Sequence, residues 1–263
     1  IMPYLEETGL YQQWDLSTPY ARHPESVRTQ AVASYFCPSR RSAGTSTLQE
    51  DVKREFELPT SGPVAFLSWC PGCIPEPPVS PDDPDSENPN SPPEDFEVIS
   101  IEYKRGALSD YAGNHGDPSP GYSGQATDFG FGGNGTGIII SSRPHCQAAK
   151  VAGWRDQVRA QHVIDGLSKT FLIGESHVTQ NLLGVPPVDG PAYDGNHLPS
   201  FARIGGPDFP LARSMNDPAN TYSFGSWHSG ICQFVLGDGS VRSLATDVDD
   251  TVLARWANRR DSL

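Results

Sequence analysis

The sequence predicts an α+β fold: an antiparallel β-sheet with long Gly/Pro-rich loops, closed by a C-terminal β-hairpin and a short helix. Three observations predict it. First, 26 glycines and 25 prolines among 263 residues suit many short strands joined by turns better than a helical bundle. Second, the apolar runs are short and separated by turn residues. Third, residues 227–242 contain an apolar run, the pair Asp238-Gly239, and a second short strand. That is the pattern of a hairpin closed by a type I′ turn.

Taken in order, Pro3 suits the start of a short helical turn and Gly9 its end. Pro24-Glu25 opens a second one. Residues 31–36 (Ala-Val-Ala-Ser-Tyr-Phe) and 64–69 (Val-Ala-Phe-Leu-Ser-Trp) are expected as strands. Residues 71–95 hold Pro, Asp, Glu, Ser and Asn but no Lys or Arg. This acidic, Pro-rich stretch reads as a solvated insertion in a single domain covering residues 1–263. Residues 96–103 alternate apolar and polar side chains, as a half-buried strand does. Residues 114–137 read as a long irregular loop, residues 138–140 and 171–173 as short strands, and residues 184–220 as loop again. Asp165-Gly166 is the turn that opens the strand at 171–173. The last element is an amphipathic helix capped by Asp247 or Asp249. Val252, Leu253 and Trp256 share one face, Arg255, Arg259 and Arg260 lie toward its C-terminal end, and it is expected to pack on the hairpin.

The hydrophobic share of 36% is enough for a core at this length. A net charge of −13 disfavours nucleic acid and anionic membrane surfaces as partners, because both require a positive patch. No window reaches the ~18 apolar residues of a membrane span. Five cysteines, Cys37, Cys70, Cys73, Cys146 and Cys232, leave at least one thiol unpaired within the chain. Cys70 and Cys73 have Cys-x-x-Cys spacing, but Pro-rich sequence follows instead of the helix that would activate a redox thiol. A disulfide across a tight turn is the expected reading and a thioredoxin-like centre the alternative.

Several residues invite a chemical reading. His228 and Asp238 would sit ~30 Å apart if residues 228–237 were one extended strand at ~3.3 Å per residue. Asp238 is therefore expected as a turn residue with Gly239, and His228 as a hydrogen-bonded side chain near a strand start. Glu175 and His177 share a strand face by period two and could meet His228 or Asp165 in a metal cluster. A hydrogen-bonded buried glutamate is the commoner outcome. Asp247, Asp249 and Asp250 resemble the opening of a calcium loop but lack its later glycine and glutamate. Helix capping is the expected role, with calcium as the alternative and no other metal or cofactor expected. There is no Gly-x-Ser-x-Gly elbow and no Gly-Lys-Ser/Thr phosphate loop.

Six segments together resemble one family. They are residues 1–7 (Ile-Met-Pro-Tyr-Leu-Glu-Glu) with 10–15, residues 35–39 (Tyr-Phe-Cys-Pro-Ser), residues 110–116 (Asp-Tyr-Ala-Gly-Asn-His-Gly), residues 164–175 running from Asp165-Gly166 to Glu175, and the terminal hairpin. In the hairpin nine residues separate His228 from Asp238-Gly239. In this order they resemble a bacterial family of unknown function, abundant in planctomycetes, with a prepilin-type N-terminus and a C-terminal His-x9-Asp-Gly motif. Tyr111 and Asn114 match its Tyr-x-Gly-Asn-x-Gly loop.

The resemblance implies a pilin-like assembly in which an apolar helix, preceding Ile1 in a longer precursor, packs on the sheet. It also implies that Cys37 would pair with a cysteine following that helix, if the precursor has one. The function it implies is that of a non-enzymatic, pseudopilin-like subunit at the cell surface or outside the cell. Such a subunit would self-associate or dock to envelope proteins, and touch the membrane only through the N-terminal helix. The alternative is a secreted binding module that recognises a glycan or a protein through loop aromatics such as Trp69, Tyr122, Phe129, Tyr193 and Tyr222.

Overall fold

The computed structural model of the chain describes residues 2–59, 96–118, 133–147 and 150–261. They form an α+β fold with few helices and antiparallel-rich sheets. The strands are β1 (Val52–Pro59), β2 (Phe96–Tyr103), β3 (Tyr111–Gly116), β4 (Pro144–Gln147), β5 (Lys150–Trp154), β6 (Phe171–Glu175), β7 (Ala202–Ile204), β8 (Ile231–Leu236) and β9 (Val241–Ala245). The α-helices are α1 (Thr8–Tyr11), α2 (Glu25–Arg28), α3 (Leu198–Phe201) and α4 (Asp250–Ala257). The central sheet has the order β7-β3-β6-β8-β9. In it β3 and β7 run parallel and the other neighbours antiparallel. Two separate hairpins, β1–β2 and β4–β5, complete the strand inventory.

The core lies where β6, β8 and α4 meet. Along β8 every second side chain is buried, placing Cys232, Phe234 and Leu236 inward. Phe171 of β6 stacks on Phe234 with ring centroids 4.0 Å apart. Leu253 and Ala257 of α4 close the cluster, with Trp256 packed against it. Each fully buried leucine or phenylalanine here contributes roughly 1.5–3 kcal/mol. The Asp249 carboxylate caps α4, accepting from the Thr251 and Val252 backbone N–H groups. Asp249 rather than Asp247 is thus the cap, and the helix packs on the hairpin as expected. Its inward face is Leu253, Ala254 and Ala257, and Val252 is exposed.

Other local expectations are corrected. Residues 31–36 form no strand, because residues 33–35 turn in a 3-10 helix that buries Val32 and leaves Ala33 and Ser34 exposed. Residues 138–140 run beside β3 with only a few backbone bonds, among them Ile139 N–H to Asn114 O. Residues 114–116, at the start of the loop expected over 114–137, instead belong to β3, which is buried from Ala112 to Gly116. The 184–220 stretch carries α3 and β7. The hairpin turn is not type I′, which needs positive φ at two residues. Among the described residues only Gly239 there has positive φ, at 86°. Gly239 N–H bonds Leu236 O, and Leu236 N–H bonds Ser240 O, so residues 237–239 form a three-residue loop with glycine at its left-handed position. The strand expected at 64–69, Cys70, Cys73 and the 71–95 stretch lie outside the described residues.

Candidate functional site

Two structures within the fold are built from the motif residues. The first is a tie at the centre of the sheet. Asn114 is fully buried in β3, and its amide donates to Phe171 O (2.8 Å) and Ala257 O (2.7 Å). Its Oδ1 accepts from the Gly116 N–H at 3.0 Å. One side chain thus links β3, β6 and the end of α4. The glycines beside it have steric reasons. A Cβ on Gly113 would lie 2.6 Å from Ile139 Cγ2, and Gly116 combines φ +116° with a Thr136 hydroxyl 2.1 Å from where its Cβ would stand.

The second is a cluster of three chemically competent side chains. Cys37 follows the 3-10 turn at residues 33–35, Glu175 ends β6, and His228 precedes β8. The Cys37 Sγ lies 3.5 Å from His228 Nε2, and Glu175 Oε1 lies 3.4 Å from the same nitrogen. Cys37 and Glu175 are buried, while the His228 side chain keeps 30% of its surface exposed. All three donor atoms lie within 4.8 Å of one another.

The cluster is held from behind. The Gln233 N–H donates to Glu175 Oε2 at 2.7 Å, leaving Oε1 to face the histidine. The Cys37 N–H donates to Asp110 Oδ2 at 2.8 Å. Asp110 is fully buried between two guanidiniums, with Arg41 Nε at 2.8 Å and Arg40 Nη1 at 3.3 Å. Arg41 in turn grips both oxygens of buried Asp189, at 2.8 and 2.9 Å. A buried, multiply bonded ion network of this kind costs several kcal/mol to break at one partner, so the Cys37 backbone is firmly placed. Tyr111 pairs opposite Glu175 in the sheet and lines the same pocket of about 380 Å³. Burial is the main cause that pushes its phenol up to about 12.

The remaining predicted residues lie elsewhere. His177 Nε2 bonds Asp217 O at 2.8 Å, and burial holds its imidazole below the usual histidine range. Asp165 accepts from the Asp261 N–H, and Gly166 takes φ +99° in the expected turn. Asp238 is exposed in the terminal loop, where its carboxylate accepts from the Ser240 N–H and hydroxyl. Asp250 lies in the first turn of α4 and Asp247 is exposed ahead of it. Glu175 and His228 therefore meet, as one of the expected combinations had it, but their third partner is Cys37 rather than His177 or Asp165. The sequence carries no local signal for that partner, which lies 191 residues from His228.

A separate cleft of about 650 Å³ is lined by Trp14, Tyr20, His23, Trp154, Tyr193 and Phe201, together with Asp15, Arg143 and Arg155. Of the loop aromatics expected at a binding surface, Tyr193 lines this cleft and Tyr222 packs on Phe209 instead. Trp69, Tyr122 and Phe129 lie outside the described residues.

The model of the family described as "Protein of unknown function (DUF1559)" matches residues 1–251. No curated protein and no solved structure matches the chain.

Proposed function

The chain belongs to this family of unknown function, and from that premise we propose that it is the globular part of a non-enzymatic, pseudopilin-like subunit of the cell envelope or extracellular space. The observation that carries the reading is the use to which the motif residues are put. Asn114, Asp110, Asp165, Gly166, Asp238 and Gly239 all hold backbone in place, by hydrogen bonds or by left-handed φ. A motif order whose residues serve architecture suits a scaffold that recurs with variable loops between its fixed points.

The Cys37–Glu175–His228 cluster also lacks relay geometry. A cysteine–histidine–carboxylate triad needs thiol and carboxylate on opposite imidazole nitrogens. Cys37 and Glu175 both approach Nε2.

In this reading, self-association or docking to envelope proteins runs through an apolar helix of the kind the family resemblance implies upstream of Ile1. That helix would bury surface against neighbours at ~25 cal/mol per Å². Sedimentation of the full processed gene product and of residues 1–263 tests it: multimers of the first and a monomer or weak associator of the second are expected. A processed product that stays monomeric at high concentration and captures no envelope partner would sink the proposal. Turnover of an ester, glycoside, peptide or disulfide by the purified protein, lost on a Cys37 or His228 substitution, would sink its non-enzymatic part.

The aromatic cleft favours a second reading, a binding module. Trp14 and Trp154 line the cleft together with Asp15, Arg143 and Arg155, a combination of aromatic and charged groups suited to recognising sugar rings. Quenching of tryptophan fluorescence by an oligosaccharide, abolished by Trp14→Ala, would favour it over the assembly role.

A further inference from the structure

We propose that Cys37, Glu175 and His228 bind a single zinc-class divalent cation through one thiolate, one carboxylate oxygen and one imidazole nitrogen. The fourth position opens to the pocket lined by Tyr111, Gln233 and Val241. The inference does not depend on the assembly reading.

The geometry points to it in three ways. First, a tetrahedral zinc ion with bonds of ~2.3 Å to sulfur and ~2.0–2.1 Å to nitrogen and oxygen spaces its ligands ~3.5 Å apart for sulfur and nitrogen. The same bonds give ~3.4 Å for nitrogen and oxygen. The two edges seen here are 3.5 and 3.4 Å. Second, sulfur and carboxylate converge on the same imidazole nitrogen, as ligands sharing one central ion do. Third, the donor set is selective. Thiolate and imidazole favour zinc or cobalt over calcium and magnesium, which prefer six or more oxygens.

The surroundings fit a metal site as well. Gln233 N–H ties the second carboxylate oxygen, so Glu175 presents one oxygen only. The backbone N–H groups of Cys37 and His228 are each bonded, to Asp110 Oδ2 and Ser226 Oγ, which holds the chain in place at both ligands. The partly exposed imidazole gives a hydrated ion a way in. On binding, the ion sheds waters, the Cys37 thiol releases its proton to solvent, and the thiolate sulfur takes its place in the coordination shell. Three protein ligands leave one position for water. The ion would then clamp together three segments far apart in the chain, and so stabilise the folded state by mass action.

The test uses residues 1–263, stripped with a chelator and titrated with zinc or cobalt. One equivalent per chain is expected, with a rise in Tm. Cobalt should give a thiolate charge-transfer band and the intense visible bands of a tetrahedral ion. Calcium and magnesium should produce neither. His228→Ala, at a partly exposed position, should fold and lose the equivalent, and Glu175→Gln should lose it too. His162→Ala, which removes an exposed histidine elsewhere, should keep it. Zinc should also slow alkylation of Cys37. The proposal is overturned if the wild type takes up no stoichiometric metal, if His228→Ala takes up as much as wild type, or if peptide mapping of the intact gene product finds Cys37 in a disulfide.

Discussion

At the scale of single residues, burial converts ordinary polar side chains into positions that tolerate no substitute. Asn114 needs an amide, since it gives two N–H bonds to carbonyls and receives one from a backbone N–H. Asn114→Ala leaves two buried acceptors and a donor unpaired, and should cost at least about 2 kcal/mol in a denaturant titration. Asn114→Asp should cost as much or more, because a carboxylate faces the Phe171 and Ala257 carbonyls without a proton to offer. An aspartate variant as stable as wild type would refute the tie.

Asp194 and His197 give a pH-dependent case. The Asp194 carboxyl is pushed up to about 6 from 3.8, burial being the main cause. Burial holds the neighbouring His197 down to about 4 from 6.5. The raised carboxyl contributes stability that is present below pH 3.8 and lost as pH rises through about 6. The depressed histidine contributes stability that is present above pH 6.5 and lost as pH falls through about 4. The two oppose each other in the window between. Asp194→Asn can still accept the Asn196 N–H but removes the buried charge. It should stabilise the fold at pH 7.5 by about 1–3 kcal/mol and lose that advantage by pH 4. Equal Tm values for variant and wild type at both pH values would contradict this.

At the scale of elements, the terminal hairpin rests on one glycine. Gly239 holds φ +86° with nothing within 4 Å of where a Cβ would stand, so any penalty there is conformational rather than steric crowding. Gly239→Val should cost about 1–2 kcal/mol, and Gly239→Asn much less, because asparagine visits the left-handed region readily. Equal thermal stabilities for the valine and asparagine variants would refute the turn assignment. This hairpin, the strands at 96–103 and 171–173 and the final helix were legible because each announces itself locally. They show alternation, an apolar run between turns, Asp-Gly, or a capping aspartate before an amphipathic stretch. β3 was not legible. Its residues, Tyr-Ala-Gly-Asn-His-Gly, read as loop, and they are buried because neighbours on both sides are far away in sequence. β7, with three residues, is too short to show a period. The apolar run at 31–36 misled in the opposite sense, since it lies over a small cluster with Leu10 and Val27 rather than in a sheet. Of the cluster, Glu175 and His228 were legible as metal-competent residues. Cys37 was noted only through a motif, and no local pattern could place it beside them.

At the scale of the whole molecule, the question is which parts of the chain carry the fold. Every strand of the central sheet comes from residues 111–245, and its core from residues 171–257. The β1–β2 hairpin is in register from Val52 opposite Tyr103 to Pro59 opposite Phe96. Pro59 and Phe96 are therefore adjacent across the hairpin, and residues 60–95 connect them in sequence. Closing a loop costs only about 0.6 kcal/mol more per doubling of its length, so shortening such a connection changes stability little unless it buries apolar surface. Residues 76–93 contain one valine as their sole aliphatic or aromatic side chain amid Pro, Asp, Glu, Ser and Asn. That composition buries little. Deleting residues 76–93 should leave a single cooperative thermal transition with Tm shifted by no more than a few degrees, about 1 kcal/mol at this chain length. The same deletion should leave metal uptake at Cys37, Glu175 and His228 intact, since none of their contacts crosses β1 or β2. If the transition broadens or disappears, the segment is part of the core after all. If the fold survives but the metal is lost, the segment reaches the cluster, and the three-ligand site described here is incomplete.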